Sequence, residues 1–183
     1  MSLCHFVLAS AALAAVTSAP LAAKNPMVGG AAMFANKNIV ANAVNSKDHT
    51  TLVAAVKAAG LVDTLSGKGP FTVLAPTNAA FARLPAGTVE TLVKPESKAA
   101  LTNILTYHVV PGRITAGQIA SLAARNKGMA KLKTVQGETL RFHKNKRGGW
   151  AVMDSKGGMA TITIANVMQS NGVIHVIDRV LMP

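Results

Sequence analysis

From Asn38 onward the apolar positions fall into register with helix and strand periods. Ile39, Val40, Ala43 and Val44 recur at helical spacing, and so do Leu52, Val53, Val56 and Ala59. Asp48 or Thr50 can cap the second of these helices, and Gly60 is a natural stop. Residues 61–65 read as one further turn before SGKGP, a loop by composition. Residues 71–75 predict a short buried strand, with Phe71, Val73 and Ala75 on one face and Pro76 ending its pairing. Thr77 or Asn78 can cap a brief helix holding Ala80 and Phe81, and Thr88 another that runs to Leu92. Ala99, Leu101, Ile104 and Leu105 mark one face of a helix over residues 96–106. Residues 107–110 then read as a strand halted by Pro111-Gly112.

After a short helix at 115–124 the period changes to two. Residues 131–135 and 139–143 alternate as strands around Gly137, while Gly148-Gly149 and Gly157-Gly158 mark two more hairpin turns. Residues 160–165, 173–177 and 179–182 complete the strands, with Asn171-Gly172 as the turn signal into 173–177. His175 and Val173 share one face of that strand, Ile174 and Val176 the other. Short helices followed by a strand-rich half predict an α+β fold rather than alternating βαβ units. Residues 24–37 are rich in Gly, Ala and Asn without clear periodicity, and read as a linker.

Upstream of that linker, residues 6–16 form an apolar run with only Ser10 polar, followed by small residues at Thr17, Ser18, Ala19, Ala22 and Ala23. This is the pattern of a secretory leader spanning 1–23, cut after Ala22 or Ala23, although no Lys or Arg precedes the run. No apolar run reaches the roughly 18–20 residues a membrane-spanning helix needs. The expected location is therefore outside the cytoplasm, periplasmic or extracellular. The chain of 183 residues fits one domain. Half its residues are hydrophobic and 14% charged, a balance that excludes intrinsic disorder. Aromatics make up only 4%, so the core must be built mostly from Ala, Val, Leu, Ile and Met. Cys4 is the single cysteine, so no intrachain disulfide can form.

Three segments together resemble the fasciclin domain family: FTVLAPTNAAF at 71–81, ILTYHVVPG at 104–112 and SNGVIHVIDRVLMP at 170–183. Their order and spacing extend the resemblance over residues 38–183. Two positions depart from the family pattern, Ala79 and Asn166, where acidic residues are common. The resemblance implies a compact α+β wedge, with short helices packed on a strongly twisted β-sheet. It also implies a non-catalytic adhesion or binding role at a cell surface, in the periplasm or in extracellular matrix, without a cofactor. In animal members the segment matching Tyr107-His108 is implicated in receptor binding, a role not carried over to this chain. The pair reads first as structural, one residue packed in the core and the other hydrogen-bonded locally to fix a loop, with partner contact as the alternative.

Catalytic chemistry finds little support in the residues. Ser170, His175 and Asp178 are close in sequence, yet on a continuous strand His175 and Asp178 face opposite ways, and no Gly-x-Ser-x-Gly elbow is present. Histidines and acids lack metal-binding spacing. Gly67-Lys68-Gly69, followed by Pro70, is too short for a phosphate loop of the Walker type. Charge is the stronger signal. Nineteen Lys and Arg stand against seven Asp and Glu, a formal net charge of +12. Between 125 and 147, Arg125, Lys127, Lys131, Lys133, Arg141, Lys144, Lys146 and Arg147 face a single acid, Glu138. If the two alternating strands pair, their polar sides form one basic surface for an acidic polysaccharide, lipopolysaccharide or anionic lipid headgroups, or one that only keeps the protein soluble. Nucleic acid is a poor fit, because Trp150 is the sole large aromatic beside the cluster. A second expectation is a carrier for a small apolar ligand or lipid, its pocket lined by some of the seven methionines beyond Met1.

Overall fold

A computed structural model describes residues 25–183. The expected leader at 1–23 lies outside the described residues. A two-stranded ribbon, β1 (Met27–Val28) and β2 (Ala31–Ala32), opens the fold. Then come α1 (Ile39–Ala43), a 3-10 turn at Lys47–His49, α2 (Thr50–Ala59), α3 (Val62–Ser66) and β3 (Phe71–Pro76). Helices α4 (Asn78–Ala82), α5 (Thr88–Leu92) and α6 (Lys98–Tyr107) lead to β4 (Val109–Pro111), and α7 (Ala116–Arg125) follows. The chain ends in β5 (Met129–Lys133), β6 (Thr139–Lys144), β7 (Trp150–Met153), β8 (Met159–Gln169) and β9 (Gly172–Ile177).

The main sheet has seven strands in the order β4-β3-β9-β8-β7-β6-β5. Strands β3 and β9 run parallel, and every other neighbouring pair is antiparallel. Register shifts between Ile162, Ile164 and Val167 put bulges into β8, the device that bends and twists a long strand. A bond from Val135 N–H to Val109 O (2.8 Å) links the chain after β5 to β4, so the sheet curls toward closure. This is the α+β architecture that the grouping of helices and strands predicts.

Because β3 and β9 are buried on both faces, the sheet divides two cores. Val73, Ala75, Ile174 and Val176 pack with Leu52, Val56, Leu101 and Leu105 of the helical layer. Leu74 and Ile177 face Ile119 of α7 and Leu132, Leu140, Phe142 and Val152 of the curled sheet. The faces expected for Val73 and Ala75, and for Ile174 and Val176, are those observed.

Four expectations are corrected. Residues 25–37 are not a linker: Gly29 and Gly30, both at positive φ, fold the ribbon back, and Val28 and Met33 are 4% and 2% exposed in the first core. The segment is stitched down by Lys47 N–H to Gly29 O, by Ser170 N–H to Lys37 O, and by the buried Asn42, whose amide bonds Phe34 and Gln169. Only two of its side chains are deeply buried, too few to create a period. Second, α2 has no cap from its own Asp48 or Thr50. Asn78 reaches across instead, accepting from Thr51 N–H (3.1 Å) and donating to Lys47 O and Thr50 Oγ1. Third, residues 179–182 form no strand, although Val180 and Leu181 are buried one in each core. Fourth, the tight turn before β9 is Ser170–Asn171, one residue earlier than the Asn-Gly signal suggests.

Candidate functional site

The hairpin of β5 and β6 places the basic residues. Leu132 stands opposite Leu140 and Ala130 opposite Phe142, and all four are buried under α7 and the sheet. Alternation therefore turns Lys131, Lys133 and Arg141 to the outer face, with Lys131 directly across from Arg141. The other five cations are arranged differently from a single strand face. Met129 pairs with His143, which brings the end of α7 next to the β6–β7 turn. Arg125 and Lys127 thus gather with Lys144, Lys146 and Arg147 at one end of the sheet, and all eight cations are exposed. Among the described residues the one ion pair is Arg83–Asp178 at 3.5 Å, so none of the eight has a carboxylate within 4.0 Å. Lys127 adopts a left-handed φ of 54°, a strained conformation for a residue with a Cβ, held where Gly128 N–H closes on Ala123 O (2.8 Å).

Tyr107 and His108 are not where the sequence pattern puts them. Tyr107 ends α6 and His108 caps it, because the α-helical bonds continue to His108 N–H. Both are buried, at 0% and 2% exposure, so neither presents a surface to a partner in this fold. Tyr107 reaches the β7–β8 turn, where its hydroxyl accepts from Ser155 N–H (2.9 Å). Burial pushes its phenol above the ordinary tyrosine range. His108 Nδ1 faces Ile104 O (2.7 Å) and must carry the hydrogen, while Nε2 accepts from Leu181 N–H (3.1 Å). Burial lowers its pKa to about 4, against a smaller opposing effect of the Ile104 carbonyl. The pair is a clip that joins α6 to the far turn and to the C-terminal segment.

His175 is similarly engaged. It accepts from Asn166 N–H at Nδ1 (3.3 Å) and donates from Nε2 to Ile114 O (2.9 Å), which leaves no ring nitrogen for Ser170 or Asp178. Burial holds it below the usual histidine pKa. Asp178 instead accepts from Thr161 N–H (2.7 Å). Asn166, at φ 59°, uses its side-chain oxygen to accept from Ala116 N–H at the start of α7 (2.7 Å), a role a neutral amide fills without the acid common in the family.

Between the helical layer and β3 lies an apolar cavity of ≈ 40 Å³, lined by Ile39, Leu52, Val56, Leu65, Val73 and Leu105 among others. No methionine lines it. A cavity of about 150 Å³ is what benzene needs, so in this conformation it admits no lipid. Met27 and Met159 are 58% and 50% exposed rather than in a pocket. Among the described residues no group of three or more His, Cys, Asp or Glu is placed to hold a metal ion, and no helix is long and apolar enough to cross a membrane. Sequence reading leaves Lys68 and Arg113 in unrelated loops; the fold brings them to one cleft, beside Ser170 and Asn171.

Residues 47–183 match the family described as the fasciclin domain. Protein sll1483 of Synechocystis is 51% identical over 160 residues, covering 87% of this chain and 81% of that protein. Immunogenic protein MPB70 of Mycobacterium bovis is 34% identical, with 97% and 93% covered. Pig transforming growth factor-beta-induced protein ig-h3 is 36% identical over 137 residues, 72% of this chain but 17% of that protein. Among solved structures, a domain pair from the insect cell adhesion molecule fasciclin I superposes with a TM-score of 0.70 at 17% identity. That likeness covers 80% of this chain and 51% of the pair, and it is a likeness of fold.

Proposed function

Because the chain belongs to the fasciclin domain family, we propose that it is an exported, non-catalytic binding module whose basic hairpin holds an acidic polysaccharide. Membership of a family of binding modules supports the broad role. The observation that carries the finer reading is the set of eight exposed cations without carboxylate partners. Lys131 and Lys133 stand ~7 Å apart along one strand, with Arg141 beside them and five further cations beyond. This is a ridge of charge, which suits a linear polyanion better than a compact anion. Exposed cations attract such a partner from beyond contact distance and are screened over about 8 Å at physiological salt.

Replacing Lys131, Lys133, Lys144 and Lys146 with Glu tests the reading. Immobilised alginate, an acidic polyuronate, should retain the wild-type protein at low salt, and neutral dextran should not. The variant should lose retention while keeping its circular dichroism spectrum and cooperative unfolding. Equal retention of the folded variant would overturn the proposal. Retention on vesicles of anionic lipid but not on alginate would assign the ridge to a membrane surface instead.

A further inference from the structure

We infer that the cleft formed by the 66–70 loop, Arg113 and the β8–β9 turn is a site for a single oxyanion group, a phosphate or sulfate ester. Ser66, Gly67, Lys68, Gly69, Pro70, Arg113, Ser170 and Asn171 enclose it, a volume of ≈ 440 Å³ open to solvent. Every charged group in that lining is a cation, Lys68 or Arg113. Asp63, on the adjacent α3, is outside the lining.

The cleft is built rather than incidental. Asn171 holds the loop from one side, donating from Nδ2 to Leu65 O (2.7 Å) and Gly67 O (3.1 Å) and accepting Ile39 N–H at Oδ1. Gly69 lies so close to this turn that a Cβ there would meet Asn171 O at 2.0 Å, so only glycine lets the loop approach. The Arg113 guanidinium is fixed by donating from Nη2 to Gln169 O and Ser170 O, both at 3.1 Å. Its Nε and Nη1 hydrogens remain for a ligand. Among the described residues the backbone N–H groups of Lys68 and Gly69 also have no acceptor. A pre-oriented guanidinium, an ammonium, two serine hydroxyls and glycine-flanked amides are all donors, the chemistry that recognises phosphate and sulfate oxygens. One small anion satisfies this arrangement; a long polyanion needs the extended ridge of β5 and β6.

The experiment is titration of the 15N-labelled full chain with glucose 6-phosphate, glucose 6-sulfate and glucose, at constant ionic strength. Either ester should give saturable shifts of the Lys68, Gly69, Ser170 and Asn171 amides, with glucose silent. The tighter of the two identifies the ester. Lys68→Gln, an exposed change, should weaken binding at least tenfold (about 1.4 kcal/mol) and leave retention on alginate unaltered. Arg113→Gln should weaken it as much. Absence of saturable shifts at these amides, or equal affinity in Lys68→Gln, would overturn the site without touching the hairpin proposal.

Discussion

Lowering the pH from 7.5 to 5 should destabilise this domain through a buried histidine. His108 stays neutral in the fold until the pH nears about 4, because burial disfavours the imidazolium. In the unfolded chain the same group titrates near 6.5. Between those values the unfolded state binds a proton that the folded state refuses, so stability is fully present above pH 6.5 and is lost as the pH falls toward 4. A difference of about 2.5 pH units at about 1.4 kcal/mol each gives ~3 kcal/mol in all, of which ~2 kcal/mol is gone by pH 5. The geometry gives the reason: protonated Nε2 would point a hydrogen at Leu181 N–H, donor against donor. Urea unfolding followed by the single Trp150 measures the effect at both pH values. His108→Gln keeps an acceptor for Leu181 N–H but removes the titrating group. It should be the less stable protein at pH 7.5, yet lose ~2 kcal/mol less than wild type on going to pH 5. Equal losses in the two proteins would refute the reasoning. His49 and His175, also held below the usual range by burial, should leave a residual acid sensitivity in the variant.

Met33→Ala should cost ~2–5 kcal/mol in the same urea assay, a result impossible for a residue in a linker. Asn171→Ala removes three hydrogen bonds that join α1 and the 65–67 turn to the sheet, and should cost ~2–3 kcal/mol at about 1 kcal/mol per bond. Arg141→Gln relieves the like charge directly opposite Lys131; it should raise stability by ~0.5 kcal/mol while weakening retention on alginate.

The facing of residues along β3 and β9 was legible because its signals are local. Alternation at 71–75 and 173–177, and the glycine stop at residue 60, each lie within one element and obey one period. What escaped the sequence depends on partners far along the chain. Asn78 caps a helix that begins almost thirty residues earlier, and nothing near Thr50 announces it. Tyr107 and His108 sit among β-favouring residues, yet α6 runs to Tyr107 and His108 caps it, where their side chains find partners at Ser155, Ile104 and Leu181. Of the candidate site, the facing of Lys131, Lys133 and Arg141 followed from period two. The gathering of Arg125 and Lys127 with the 144–147 turn required the hairpin register. The oxyanion cleft was beyond reach, since Lys68 and Arg113 meet only when β3, β4 and the β8–β9 turn are assembled.

The most direct test of the binding account is the affinity of the full chain for soluble alginate across a salt series, beside the fourfold Lys→Glu protein. Tight binding at low salt that weakens steadily toward physiological ionic strength, and is lost in the variant, is the result the exposed ridge predicts. Affinity independent of salt, or shared by the variant, would contradict it.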